Sequence, residues 1–225
     1  MLKKRIKWKR ILGVIIAVVL VCTIFPKSQN LRIHFVDVGQ GDCTLVITST
    51  GKTMLVDGGG SEDIENYDVG ESVLVPYLLD KNIKTIDYML VSHFHADHCN
   101  GLLAVLEKLD VNTVIFAKQE ETCKEYENFI EKAKQNNSNV LIAKDGQTIM
   151  LDNSTKLEIL QAGIKSDNLN NSSIIAKLVY GNFSMLFTGD AELEEEQVVL
   201  KNIPSTKLKA NVLKVGHHRF YNFYL

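Results

Sequence analysis

Four potential metal ligands fall within six residues of this 225-residue chain: His93, His95, Asp97 and His98. They follow an apolar run, Ile86–Val91, which reads as a strand delivering them to a sheet edge. On an extended backbone, positions i and i+2 point the same way, so His93 and His95 can grip one ion together. The chain must then turn, which leaves Asp97 and His98 facing a neighbouring point where a second ion could sit. Neutral imidazole nitrogens and a carboxylate oxygen suit zinc and tolerate manganese or iron. The competing reading is a polar loop that happens to be rich in histidine. Three of the six histidines in one hexapeptide, directly after an apolar strand, argue against it.

The elements that must position these groups alternate between strands and helices. Leu31–Val38 alternates Leu31, Ile33 and Phe35 with Arg32, His34 and Val36, which predicts a half-buried strand with His34 on its polar face. Asp37-Val-Gly-Gln-Gly-Asp42 is a glycine-rich turn into a second strand, Cys43–Thr48, and Thr53–Val56 is a third. That strand ends in Asp57-Gly-Gly-Gly60, where glycines allow a close backbone approach. A helix is expected over Glu71–Asp80 and another over Gly101–Lys108, after the histidine loop. Further on, the pattern predicts strands at Val111–Ala117, Val140–Ala143, Thr148–Leu151 and Leu157–Leu160, with a charged helix over Glu120–Gln135. Ile174–Tyr180 and Phe183–Thr188 form a hairpin across Gly181-Asn182. A helix over Ala191–Lys201 and a last strand, Ala210–Val215, complete the order. Strands interleaved with helices indicate a layered α/β protein with sheets inside helices. Cys99 follows the histidine loop and reads as a packing residue beneath it, with a ligand role as the alternative.

An apolar content of 45% and a charged content of 23% are those of a globular protein. The first thirty residues differ. Six basic residues between Lys3 and Arg10 precede an uncharged run, residues 11–25, closed by Pro26. This is a targeting segment, to be kept apart from the domain over residues 31–225. No small-residue cleavage site follows the run, so it is read as a membrane anchor with the basic flank inside. A cleaved signal, giving a secreted domain, is the alternative. The segment holds seven of the 25 basic residues and no acid, which leaves 18 basic against 27 acidic residues and a net charge of −9 for the rest. Such a domain does not attract polyanions over long range.

The motif Ser92-His-x-His-x-Asp-His98 after a strand resembles the signature of metallo-β-lactamase-fold hydrolases. Further landmarks occur in order: Asp37-Val-Gly-Gln-Gly-Asp42, Val56-Asp-Gly-Gly59, Asn170-x-x-Ser173, Thr188-Gly-Asp190 and Lys214-Val-Gly-His-His218. Together they resemble the branch that includes the outer domain of the DNA-uptake competence protein ComEC. The resemblance implies an αββα sandwich, two sheets between helices. It implies that His93 and His95 hold one metal, Asp97 and His98 a second, that Asp190 bridges the two, and that His217 completes the second site. Asp57 would orient the loop from beneath, and His218, Asn170 and Ser173 would support the site or meet substrate. No histidine lies between His98 and His217, so the first metal would be held by fewer protein ligands. The cofactors so implied are two divalent ions, zinc or alternatively manganese, roughly 3.5–4 Å apart. The likeness stops after His218, where Arg219-Phe-Tyr-Asn-Phe-Tyr-Leu225 replaces the expected Gly-Ser continuation. The expectation is therefore a shortened family domain with the second half of its sandwich incomplete.

The chemistry so implied is metal-assisted hydrolysis, with Asp97 and Asp190 at its centre. The resemblance points to an extracytoplasmic phosphodiesterase, including a nuclease linked to DNA uptake, with DNA as partner and residues 11–25 in the membrane. The charge of −9 opposes a nuclease unless Lys207, Lys209 and Lys214 line a basic groove. Two alternatives stand: an esterase removing phosphocholine from wall polymers, and a metal-binding remnant without turnover. No protein partner is inferred.

Overall fold

A computed structural model describes residues 8, 11–15, 30–63, 66–119 and 122–216. The backbone divides into two compact units, Met1–Asn30 and Leu31–Leu225. In the first, residues 11–15 are helical. Among the described residues, no helix is long and apolar enough to cross a membrane. Most of the apolar run predicted as an anchor lies outside them, as do His217, His218 and the rest of the carboxyl terminus.

Among the described residues, the second unit contains two sheets. The first has six strands in sequence order: β1 (Arg32–Phe35), β2 (Thr44–Ile47), β3 (Thr53–Val56), β4 (Thr85–Leu90), β5 (Asp110–Ala117) and β6 (Asn139–Ala143). Strands β1 to β3 are antiparallel neighbours, and β3 to β6 run parallel. Parallel neighbours require crossovers, which the helices supply. A π-helical turn (Gly70–Leu74) leads into α1 (Val75–Asp80); α2 is Ala96–Lys108 and α3 is Lys124–Gln135. The second sheet is ordered β11-β10-β9-β8-β7, with β7 (Thr148–Met150), β8 (Thr155–Ala162), β9 (Ile174–Tyr180), β10 (Phe183–Phe187) and β11 (Val212–Lys214). A short 3-10 turn, Leu169–Ser172, precedes β9. Two helices, α4 (Leu193–Asn202) and α5 (Ser205–Leu208), lie between β10 and β11.

Three cores define four layers. Leu45, Leu55, Met89 and Phe116 pack with Leu78, Leu102, Val105 and Phe129 between the first sheet and its helices. Val46, Met54, Leu90 and Ile115 face the other way, against Leu157, Ile159, Leu178 and Phe187 of the second sheet. A smaller cluster of Leu160, Ile175, Leu186, Ala191 and Val199 joins the second sheet to α4. Successive residues of β2 and β3 therefore enter different cores, which is why Thr-Leu-Val-Ile and Thr-Met-Leu-Val read as continuous apolar runs. The result is an αββα sandwich.

Two sequence expectations need correction. In β1 the predicted polar face is the helix-covered one. The Tyr77 hydroxyl lies 3.0 Å from His34 Nδ1, Val36 is buried, and Phe35 is 62% exposed. A sheet's first strand has two protein-covered faces over only part of its length, so alternation there does not identify the solvent side. Helix α2 begins at Ala96, not Gly101, and so takes in Asp97 and His98. Gly101 is no helix start. A Cβ on it would come within 2.1 Å of Gly58 O, so it is the point where the helix backbone touches the glycine run after β3.

Candidate metal centre

The histidine loop is fixed by the residue between its first two histidines. Phe94 is buried, with its ring centroid 5.6 Å from Phe116, 5.1 Å from Tyr126 and 5.7 Å from Phe129. Side chains alternate across an extended segment, so anchoring Phe94 in the helix-side core turns His93 and His95 the other way. His93 Nε2 lies 3.0 Å from His95 Nδ1. His95 then serves as the N-cap of α2, placing Asp97 in the first helical turn, where the helix dipole favours a carboxylate.

His98 is held from beneath. Asp57 sits at the end of β3 with φ of 56° and is buried. One of its oxygens accepts from the Ser92 backbone N–H at 2.8 Å, and the other is 3.0 Å from His98 Nδ1. That contact aims His98 Nε2 at Asp190, whose Oδ2 lies 3.2 Å away. Burial opposes the imidazolium, but hydrogen bonds and charge from Asp190 and Asp57 outweigh it and push His98 up to about 10. His93 is braced in the same way, with Ser92 Oγ 3.0 Å and Ser173 Oγ 3.4 Å from its Nδ1. The rings of His93 and His98 are 4.2 Å apart between centroids. A fixed Nδ1 contact with Nε2 presented is the arrangement found behind metal-bound histidines.

Asp190 reaches the site from the second sheet, in the turn after β10. Its backbone N–H donates to Ser173 Oγ at 2.9 Å. Asn170 is buried and donates to Glu192 at 2.7 Å, while Asn171 accepts from the Glu192 backbone N–H at 3.1 Å. Asn170 and Ser173 thus frame the Asp190 turn, and Ser173 also reaches His93. The ligand atoms of His93, His98 and Asp190 lie within 4.8 Å of one another, and all three residues are buried. Two imidazoles and a carboxylate in this setting fit a divalent cation such as zinc or manganese. His95 adjoins this group through His93, and Asp97 Oδ2 accepts from Gln40 Nε2 at 3.0 Å.

Other sequence candidates are placed plainly. Cys99 is buried in the helix-side core, where burial, reinforced by Glu125 and Asp57, pushes its thiol well up. Lys214 does not line an open basic groove. Its ammonium pairs with Asp42 and donates to the Gly189 carbonyl at 3.2 Å. Gln40, Asp42 and Ser92 were not singled out as site residues. Only the place of Gln40 and Asp42 in a glycine-rich turn at a strand end, and of Ser92 directly before the histidines, could have marked them.

The family model of the metallo-β-lactamase superfamily matches residues 36–225, and the chain belongs to that superfamily. Its members are generally metal-dependent hydrolases. Among curated relatives, ComE operon protein 3 of Bacillus subtilis is 28% identical over 92% of this chain and 28% of its own length. Endoribonuclease ysh1 of Schizosaccharomyces pombe is 25% identical over 76% of this chain and 24% of its own. The chain therefore spans about a quarter of the length of these relatives. The metallo-β-lactamase fold protein YhfI of B. subtilis superposes with a TM-score of 0.50 at 13% identity, covering 73% of this chain and 65% of that one.

Proposed function

We propose that this chain is a metal-dependent phosphodiester hydrolase acting outside the cytoplasmic membrane. The observation that carries the reading is the Asp57–His98–Asp190 line with His93 beside it. One carboxylate fixes a histidine whose other edge meets a second carboxylate, and His93, His98 and Asp190 are all buried. His93, His98 and Asp190 would hold one cation, and His95 and Asp97 extend the donor set towards a second. When bound, such cations acidify water and polarise the oxygens of a phosphoryl group. The chain's own part is to keep both imidazole edges and Asp190 aimed at one point before substrate arrives.

The likeness to a ComE operon protein and to an endoribonuclease supports a phosphodiester over a β-lactam. The basic-flanked apolar segment supports the location. Net charge favours a compact phosphodiester over a long polyanion. The outer unit is acidic, and Lys214, one of the three lysines that could have formed a basic groove, is turned inward against Asp42.

The test uses the full chain in detergent, loaded with Zn²⁺ or Mn²⁺, on bis-p-nitrophenyl phosphate beside single-stranded DNA. Turnover of the small diester is expected, with loss of about 100-fold or more in Asp190→Asn. Metal-loaded protein inert on both substrates, or an Asp190→Asn variant of undiminished rate, would reject the reading.

A further inference from the structure

We infer that Gln40 is a positioning residue for Asp97, held in place by a strap, Asp37–Asp42, that the Asp42–Lys214 pair ties to the second sheet. The inference rests on the reading of Asp97 as a ligand of the second cation. It adds a residue and a route of support that the ligand set alone does not contain.

The strap is a backbone structure laid on the first turn of α2. Its ends are closed by the Val36 N–H donating to Cys43 O at 2.9 Å. Gly39 and Gly41 take φ of 76° and 89°, and the Gly39 N–H donates to Asp37 Oδ1 at 3.1 Å. A Cβ on Gly41 would fall 1.6 Å from Asp97 O, so the strap lies against the residue that Gln40 contacts. The Gly59 and Gly60 N–H groups donate to Asp42 O and Gln40 O at 2.9 and 3.4 Å. The backbone on both sides of Gln40 is thus set before its side chain is considered.

From that position the Gln40 amide donates to Asp97 Oδ2 at 3.0 Å, across 57 residues of sequence. A carboxylate that gives one oxygen to a neutral donor keeps the other in a defined direction, which is how outer partners orient a ligand. Asp42 and Lys214 are both mostly buried, with side chains 18% and 13% exposed. Lys214 also holds the Gly189 carbonyl, next to Asp190. One continuous path therefore runs from Asp97 through Gln40, the strap, Asp42 and Lys214 to the Asp190 turn. It links two carboxylates, one in the first turn of α2 and one in the turn after β10.

The test is Gln40→Met, which keeps the reach of the side chain and removes its donor. The full chain is titrated with Co²⁺, following visible absorption for each equivalent, with metal-free thermal unfolding as control. The expected result is a second equivalent bound about 10–100-fold more weakly, an unchanged first equivalent and an unchanged metal-free Tm. Equal affinity for both equivalents in variant and parent would overturn the inference and leave the proposed function standing. Parallel loss of both equivalents with a lowered Tm would also overturn it, since that is general loosening. A parent chain that binds fewer than two equivalents would overturn this inference together with the two-cation reading beneath it.

Discussion

Helices α2 and α4 occupy matching places in the two halves of the sandwich. Each covers the outer face of a sheet, and each starts within a few residues of a candidate ligand at a strand's end. They are packed very differently. Eight of the thirteen residues of α2 are buried, against two of the ten in α4. Beneath α4 and α5 a groove of about 390 Å³ remains, bordered by Ile175, Leu186, Leu200, Leu208 and Leu213. The half that bears the histidines is ordered by the apolar side chains that fill it. The half that bears Asp190 takes its order near the site from polar contacts instead, through Ser173, Asn170, Asn171 and Lys214. Precise placement of a ligand can thus come from a filled core or from a hydrogen-bonded turn.

The largest expected effect lies on the packed side. Phe94→Ala removes the ring that turns His93 and His95 outward and should cost about 3–5 kcal/mol, read by denaturant unfolding. The same variant should bind zinc more weakly, because the loop loses its alternation. A loss below about 1 kcal/mol would mean that the two halves are equally loose.

On the other side the expected change has the opposite sign. Glu195 in α4 is fully buried, and burial pushes its carboxyl up to about 9, with Asp145 and Glu194 adding repulsion and the Ser173 N–H offsetting part. Between about 4.5 and 9 the folded state therefore holds a proton that the unfolded chain has released. By linkage, stability from this group is fully present below about 4.5 and declines as pH rises through 9. Glu195→Gln should raise Tm at pH 8, by an amount equivalent to roughly 1–3 kcal/mol, and should flatten the decline. Melting curves from pH 5 to 9 that stay parallel for variant and parent would refute this.

The smallest effect sharpens the contrast directly. Leu200 borders the groove and is 52% exposed, whereas Leu102 of α2 is fully buried. Leu200→Ala should cost under about 1 kcal/mol, and Leu102→Ala about 2–5 kcal/mol. Comparable losses in the two would show that the groove is filled in solution.

Much of the architecture could be read from sequence where signals were local. The strand Thr53–Val56 and the hairpin across Gly181-Asn182 stand close to the predicted bounds, because glycine turns punctuate them. The start of α2 could not, because Gly101 looks like a turn residue until the glycine run it touches, after β3, is seen. Helix α5 was missed altogether, being four residues long with no apolar period to detect. At the candidate site, the spacing of His93, His95, Asp97 and His98 shows that they are neighbours. That Asp190 meets His98 follows only from the packing of two sheets, visible beforehand through family resemblance alone. The contact of Gln40 with Asp97 carries no local pattern, since it depends on where a loop crosses a helix 57 residues later.

The crossing of α2 by Gly58, Gly59 and Gly60 has a consequence for genetics. There the Gly58 N–H donates to His98 O and the Gly101 N–H to Gly59 O, so the contact is made by main chain on both sides. A Cβ on Gly101 would come within 2.1 Å of Gly58 O, and one on Gly60 within 2.6 Å of Ala96 O. When two side chains clash, a smaller partner can relieve them. Here no partner can shrink, because a backbone cannot be mutated away. Lesions at Gly60 or Gly101 should therefore have no second-site suppressors at the contact, and a selection for regained metal binding should return true revertants to glycine.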